Sequence, residues 1–251
     1  PAGAEAKQES VGEWVGYIQE LDQLCLEDKA LKGEEERFKM YLGWLGTLAG
    51  EEASTRRFKI IPDSVVEGIF DYGPLSIVTR SGIYWRGDVI VRDSKTSLGL
   101  IAHEFGHGTD KYLNNTLYVT DRKARVRMEA VAEAFKGYAL LELVGTGNTY
   151  LLDEYIGQRA RTYLREGLEQ TIESQEAQNV GADIALLLTK RLGGTEKAWR
   201  FLANNSDEAV YSEMDELLKG YTDFGIALKD AFEYAKEEAY KKASEAPVEG
   251  K

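Results

Sequence analysis

Cysteine is nearly missing from this chain of 251 residues; the single one is Cys25. A lone thiol excludes an internal disulfide and any cysteine-built zinc site. Its place in an apolar helical pattern predicts a buried core thiol. Long hydrophobic runs are missing as well: no stretch approaches the roughly 18 apolar residues of a membrane span, and no cleavable signal pattern opens the chain. The chain begins at Pro1 rather than Met, which leaves open an upstream segment removed by processing or in the design of the expressed chain. Positive charge is in deficit, with 31 Lys and Arg against 43 Asp and Glu and a net charge of −12. The excess acid lies in residues 1–55 and 146–251, while 56–145 is slightly basic. With no basic stripe, the chain is expected to bind nucleic acid and anionic membrane surfaces poorly, and no nucleic-acid partner is expected. Histidine is scarce as well, with two in the whole chain.

What is present suffices for a folded core. Hydrophobic residues make up 43% and charged residues 29%, near the globular average, and a chain this long needs no metal or disulfide merely to hold a scaffold. Val11, Trp14, Val15, Ile18, Leu21 and Cys25 recur at three- and four-residue spacing and predict a helix over 5–31. Phe38, Tyr41, Leu42, Leu45 and Leu48 predict a second over 34–48, with Gly33 and Gly50 as stops. β-prone runs follow at 57–61, 75–79 and 82–92, the last with a turn or kink at Gly87-Asp88. A capping box at Ser64 and Glu67 predicts a short helix between the first two. A small, mostly antiparallel sheet is the simplest arrangement. From there the chain reads as helical: 95–114 with Asp93 or Ser94 as N-cap, 121–144, and then about 149–173, 176–192, 195–204, 206–219 and 223–243. Gly145-Thr146-Gly147 follows a helix rather than a strand and reads as a helix end, not a phosphate loop.

Both histidines fall within His103-Glu104-Phe105-Gly106-His107. Four residues is slightly more than one helical turn, so the two imidazoles leave one face and can meet one metal ion. Glu104 lies beside the first of them, where an attacking water would sit. This is the H-E-x-x-H arrangement of a zinc peptidase. Zinc needs a third protein ligand and an open fourth position. With no third histidine in the chain, a carboxylate must complete the set. Asp110, one turn beyond His107 on the predicted helix, lies far along the axis and reads as a surface or supporting carboxylate. Glu129 and Glu133, four apart among Ala, Val and Phe on the next helix, are the better candidates: one as ligand, the other orienting a ligand. Arg122, Arg125 and Lys136 are near enough in sequence to pair with them on a solvent face instead.

His-Glu-Phe-Gly-His-Gly-Thr-Asp, with Glu-Ala-Val-Ala-Glu-Ala-Phe some twenty residues later, resembles the gluzincin peptidases. More narrowly, it is similar to the catalytic domain of anthrax lethal factor and its relatives, which include the Pro-Pro endopeptidases. The resemblance covers about residues 75–143. It implies His103, His107 and Glu129 as zinc ligands, Glu104 as general base, Glu133 as a residue supporting the ligands, and a secreted or surface-exposed protein. Those relatives carry a tyrosine about two turns before the ligand Glu as oxyanion donor. Here that position falls near Arg122, and Tyr118, Tyr84 or Arg122 can supply the donor.

The expectation is therefore a helix-rich α+β chain: an N-terminal helical segment (1–55), a zincin-like catalytic core (56–145) and a C-terminal helical part (146–251). Its expected activity is zinc-dependent hydrolysis of a peptide or protein substrate, with Zn²⁺ as cofactor. The run ending at Asp93 is expected to offer an edge strand to that peptide. Two rivals share the motif: a metal-binding, catalytically silent interaction module, and a zinc hydrolase of non-peptide substrates.

Overall fold

A computed structural model describes residues 2–27, 31–51, 56–62, 82–85, 87–93, 96–112, 121–164, 176–219 and 224–247. The chain divides into two compact units, 1–108 with 249–251, and 109–248. The division falls inside the segment 56–145. The short helix expected after Ser64, the strand at 75–79, and Tyr118 lie outside the described residues.

In the first unit, α1 (Ala2–Leu26) buries Val15, Ile18, Leu21 and Leu24. The helix ends five residues earlier than its apolar pattern implies. Leu24, not Cys25, takes the core position on the last turn, and Cys25 is only partly buried. A 3₁₀ turn (Glu35–Phe38) leads into α2 (Lys39–Leu48), which buries Tyr41, Leu42 and Leu45. The Tyr17 hydroxyl joins the two helices. It accepts from the Tyr41 N–H at 3.0 Å and donates to the Arg37 carbonyl at 2.7 Å.

Among the described residues three strands follow: β1 (Arg57–Ile61), β2 (Gly82–Trp85) and β3 (Asp88–Arg92). Their order is β1-β3-β2. β2 and β3 form an antiparallel hairpin in which Tyr84 faces Val89, and Gly87 occupies the turn with φ of 88°. β1 runs parallel to β3, with Phe58 opposite Val89 and Ile60 opposite Val91. The sheet is thus mixed rather than mostly antiparallel. β3 lies in the middle and has no open edge, so the expected edge strand ending at Asp93 is replaced by the outer strands. Val89 and Val91 are buried, as a central strand requires. On the other face Asp88 accepts from Arg57 Nε at 2.7 Å and pairs with Lys59. Burial alone would raise the Asp88 carboxyl. The Lys59 and Arg57 bonds and charges outweigh it and hold the group below its ordinary range.

The helix that carries both histidines, α3, spans Leu98–His107. Its N-cap is Ser97, whose hydroxyl accepts from the Leu100 N–H at 3.0 Å, not Asp93 or Ser94. Asp93 is engaged elsewhere, accepting from the backbone N–H groups of Leu31 and Lys32. α3 ends at Gly108, well short of 114.

Among its described residues, the second unit's regular elements are all helices. α4 (Arg122–Gly145) starts at Asp121, whose carboxylate caps the Ala124 N–H at 3.0 Å. It is buried along most of its length and packs against α6 (Ala177–Leu192) and α7 (Thr195–Asn204). Gly181 of α6 meets α4 closely: a Cβ there would lie 2.6 Å from the Glu129 Cβ. Trp199 of α7 stacks on Tyr138 at 5.5 Å and meets Phe135 edge-on at 5.2 Å. α5 (Leu152–Tyr163) and α9 (Phe224–Glu245) close the other side around Leu186, Leu228, Phe232 and Ala235, and α8 (Asp207–Leu218) lies between α7 and α9 in sequence. Gly193 adopts the left-handed conformation that ends α6 (φ 75°). Among the described residues, no helix is long and apolar enough to cross a membrane.

Candidate metal centre

α3 presents the motif on a well-fixed helix. His103 and His107 stand one turn apart with ring centroids at 4.8 Å and planes near perpendicular. His103 is 5% exposed and Glu104 3%. The Glu104 carboxylate approaches His107, with Oε2 4.0 Å from Nε2. Its other oxygen is held against β2. A Cβ on Gly82 would come within 2.8 Å of Glu104 Oε1 and 2.9 Å of its Cγ. Glycine at 82 therefore makes the room in which this buried carboxylate lies.

Strand alternation puts Tyr84 on the same face of β2 as Gly82. Its ring lies against the end of α3, where a Cβ on Gly108 would meet Tyr84 Cζ at 2.4 Å and its hydroxyl at 2.6 Å. Of the three residues considered as oxyanion donors, Tyr84 thus sits in the same unit as the histidines. Arg122 is the first residue of α4 in the other unit, and Tyr118 is not among the described residues.

Two anchors fix α3. At its start the Tyr41 hydroxyl donates to the Leu98 carbonyl at 3.0 Å. At its end Arg56 donates to the carbonyls of Phe105 (2.5 Å) and Gly108 (2.9 Å) and pairs with Glu51. Nothing in the sequence singles out Arg56 or Gly82, because their partners lie 49–52 and 22 residues away. Tyr41 is legible only as a core position.

Asp110 is not on the histidine helix. The Gly108 N–H bonds back to Phe105 and Gly106, closing the helix, and the next residues turn to other partners. Asp110 forms a fork with Arg127 of α4, Arg127 Nε to Oδ2 at 3.0 Å and Nη2 to Oδ1 at 2.9 Å. Both side chains are fully enclosed. Arg127 also donates to Asp207 and to the carbonyls of Leu202 and Asn205. The guanidinium fork thus meets planar acceptors on every side.

Glu129 and Glu133 lie on α4, one turn apart. Glu129 is partly buried and sits where Gly181 lets α6 approach. Glu133 is buried and pairs with Lys136 at 2.6 Å. It keeps a local cation, as the solvent-face alternative expects, but not a solvated position. No family model matches the chain, and neither a curated protein nor a solved structure matches it.

Proposed function

We propose that the protein is a zinc-dependent endopeptidase of the gluzincin type, with His103, His107 and Glu129 as ligands. The observation that carries the reading is Glu104: a carboxylate 3% exposed, beside two paired imidazoles, in a space that exists because residue 82 is glycine. A surface helix with incidental histidines has no reason to keep such an acid. The donor set suits the ion. Two imidazoles and a carboxylate would make a three-ligand catalytic set with a position left for water.

A zinc ion held by these residues would supply the electrophile and lower the pKa of its water toward neutrality. The chain's own groups do the rest. A Glu104 carboxylate oxygen takes the proton of the attacking water and passes it to the leaving amine. The imidazoles must stay neutral to act as ligands. Glu133 and Asp110 are proposed to orient ligands from the surrounding shell. Tyr84, fixed against Gly108, is the described donor in the histidines' own unit and is proposed to steady the oxyanion, with Tyr118 as the alternative. β2 has a partner on one side only among the described residues, which suits a peptide adding to it as a further strand. A secreted or surface-exposed setting belongs to the same proposal.

The test combines metal content with turnover of a diverse peptide library. Wild type should hold one zinc per chain, and His103→Ala/His107→Ala should hold none. Glu129→Gln should lose zinc, whereas Glu104→Gln should keep it and lose about 10²–10⁴-fold or more of kcat/KM. Full zinc in the double-histidine variant, or more than a tenth of the activity in Glu104→Gln, would refute the reading.

A further inference from the structure

We infer that Arg56 is a positioning residue for the metal site, resting on the reading above: it fixes the last turn of α3 and, through it, His107. The last carbonyls of a helix have no intrahelical partner, and the final turn is where helices fray. His107 is the terminal residue of α3, so one of the two imidazoles hangs on the weakest turn. His103 sits a full turn further in and needs no such help.

Arg56 reinforces that turn: it adds a second donor to the Phe105 carbonyl, which already accepts from the Gly108 N–H, and gives one to the Gly108 carbonyl. Nη1 donates to the Phe105 carbonyl at 2.5 Å and Nη2 to the Gly108 carbonyl at 2.9 Å, which brackets His107 on either side in sequence. The guanidinium carbon lies 3.9 Å from the Phe105 ring centroid and 5.4 Å from that of Tyr84. Glu51 pairs with Nη2 and holds the fork in place. The side chain is only 7% exposed, so these bonds are made where water competes weakly. A cation at a helix C-terminus is also favoured by the dipole.

The geometry fits arginine and not simply any cation. Two carbonyls three residues apart are spanned by two nitrogens of one rigid plane, while its face covers Phe105. A lysine ammonium can reach one of the carbonyls but cannot also cover the ring. Gly108 belongs to the same arrangement, since a Cβ there would lie 2.3 Å from Arg56 Nη1.

The experiment compares wild type, Arg56→Lys, Arg56→Met and Glu51→Gln by three measurements. These are zinc affinity by competition with a chromophoric chelator, kcat and KM on a cleaved peptide, and amide exchange at residues 106–108 of the zinc-free protein. All are made well below each variant's Tm. Arg56→Met should weaken zinc binding by about tenfold or more, the low end of what residues that orient a ligand contribute. It should lower kcat more than it changes KM and speed exchange at Gly108, whose N–H bonds to Phe105 O. Arg56→Lys should fall between, and Glu51→Gln should shift the same quantities less. Where Arg56→Met does not fold, the lysine and glutamine variants decide. A lower Tm with zinc affinity and exchange within twofold of wild type would overturn the inference, leaving Arg56 as fold support only. Wild type that binds no zinc through His103 and His107 would refute the functional reading instead, and the exchange measurement still decides whether Arg56 fixes the turn.

Discussion

Gly82→Ala adds one methyl group beside the proposed general base. In the folded chain the new Cβ would lie 2.8 Å from Glu104 Oε1, 2.9 Å from Cγ and 3.1 Å from Cδ, where ordinary contact begins near 3.4 Å. Three atoms must therefore retreat by about half an ångström, and Cγ cannot do so by a swing of the carboxylate alone. Glu104 is buried, and overpacking of this kind costs about 1–3 kcal/mol. At about 2–4 °C per kcal/mol for a chain of this size, Tm should fall by several degrees. The catalytic effect is expected to be larger in proportion. Misplacing a reacting group by about 1 Å costs on the order of 10²-fold, so half that displacement should lower kcat about tenfold. KM and bound zinc should stay close to wild type, because no ligand is altered. The assay is kcat, KM, zinc content and Tm for wild type, Gly82→Ala and the control Gly43→Ala. At Gly43 a Cβ meets nothing within 4 Å, and alanine at this exposed position of α2 should slightly stabilise. A Gly82→Ala enzyme with kcat within twofold of wild type would refute the claim that the space at residue 82 sets the position of Glu104.

Chelation should abolish activity and leave helical circular dichroism nearly unchanged, since both units have cores of their own. Global unfolding on chelation would show a structural metal. Arg127→Leu should destabilise by about 3–5 kcal/mol, because it strips Asp110 of its forked partner inside a closed site, and Arg127→Leu/Asp110→Leu should recover part of the loss. A change under 1 kcal/mol in urea unfolding of the single variant would contradict the buried pair. Asp88 titrates below its usual 3.8 in the folded chain. Its stabilising contribution is thus present above the unfolded value and is lost as pH falls through the lower, folded one. The stability gap between wild type and Asp88→Asn should therefore be constant from pH 5 to 7 and close on acidification. A gap that does not narrow would refute the assignment.

How much of this was readable from the residues differs between the two units. The helices of the second unit follow the expected bounds closely because local signals set them. Asp121 caps one helix, Gly193 and Gly194 end another, and each apolar face repeats at helical spacing. The exception is the helix expected over 149–173, which is a 3₁₀ turn (Thr149–Leu151) followed by α5, with 165–175 outside the described residues. The sheet was less legible. The hairpin announces itself through Gly87, but the parallel seat of β1 beside β3 joins segments about thirty residues apart. No local pattern distinguishes it from an antiparallel pairing. The histidine pair was legible because both side chains lie on one helix, so spacing alone fixes their relation. The end of that helix was not, because Arg56 draws on carbonyls 49 and 52 residues away. Cys25 was misplaced for a simpler reason: on a short last turn Leu24 and Cys25 compete for one inward position, and the larger apolar side chain takes it.

The aromatic packing has an optical consequence. Of the four tryptophans, Trp14, Trp44 and Trp85 belong to the first unit and Trp199 alone to the second. Trp14 and Trp44 lie 5.6 Å apart with Tyr17 and Tyr41 beside them, close enough for their excited states to mix. Trp199 packs on Tyr138 and Phe135 and gives its indole N–H to Thr109. A chain whose only indole is Trp199 therefore carries a fluorescent label for the second unit with no dye attached. Replacing Trp199 by Phe leaves the emission to the first unit. Spectra of the two chains through a denaturant series would separate the melting of one half of the molecule from that of the other.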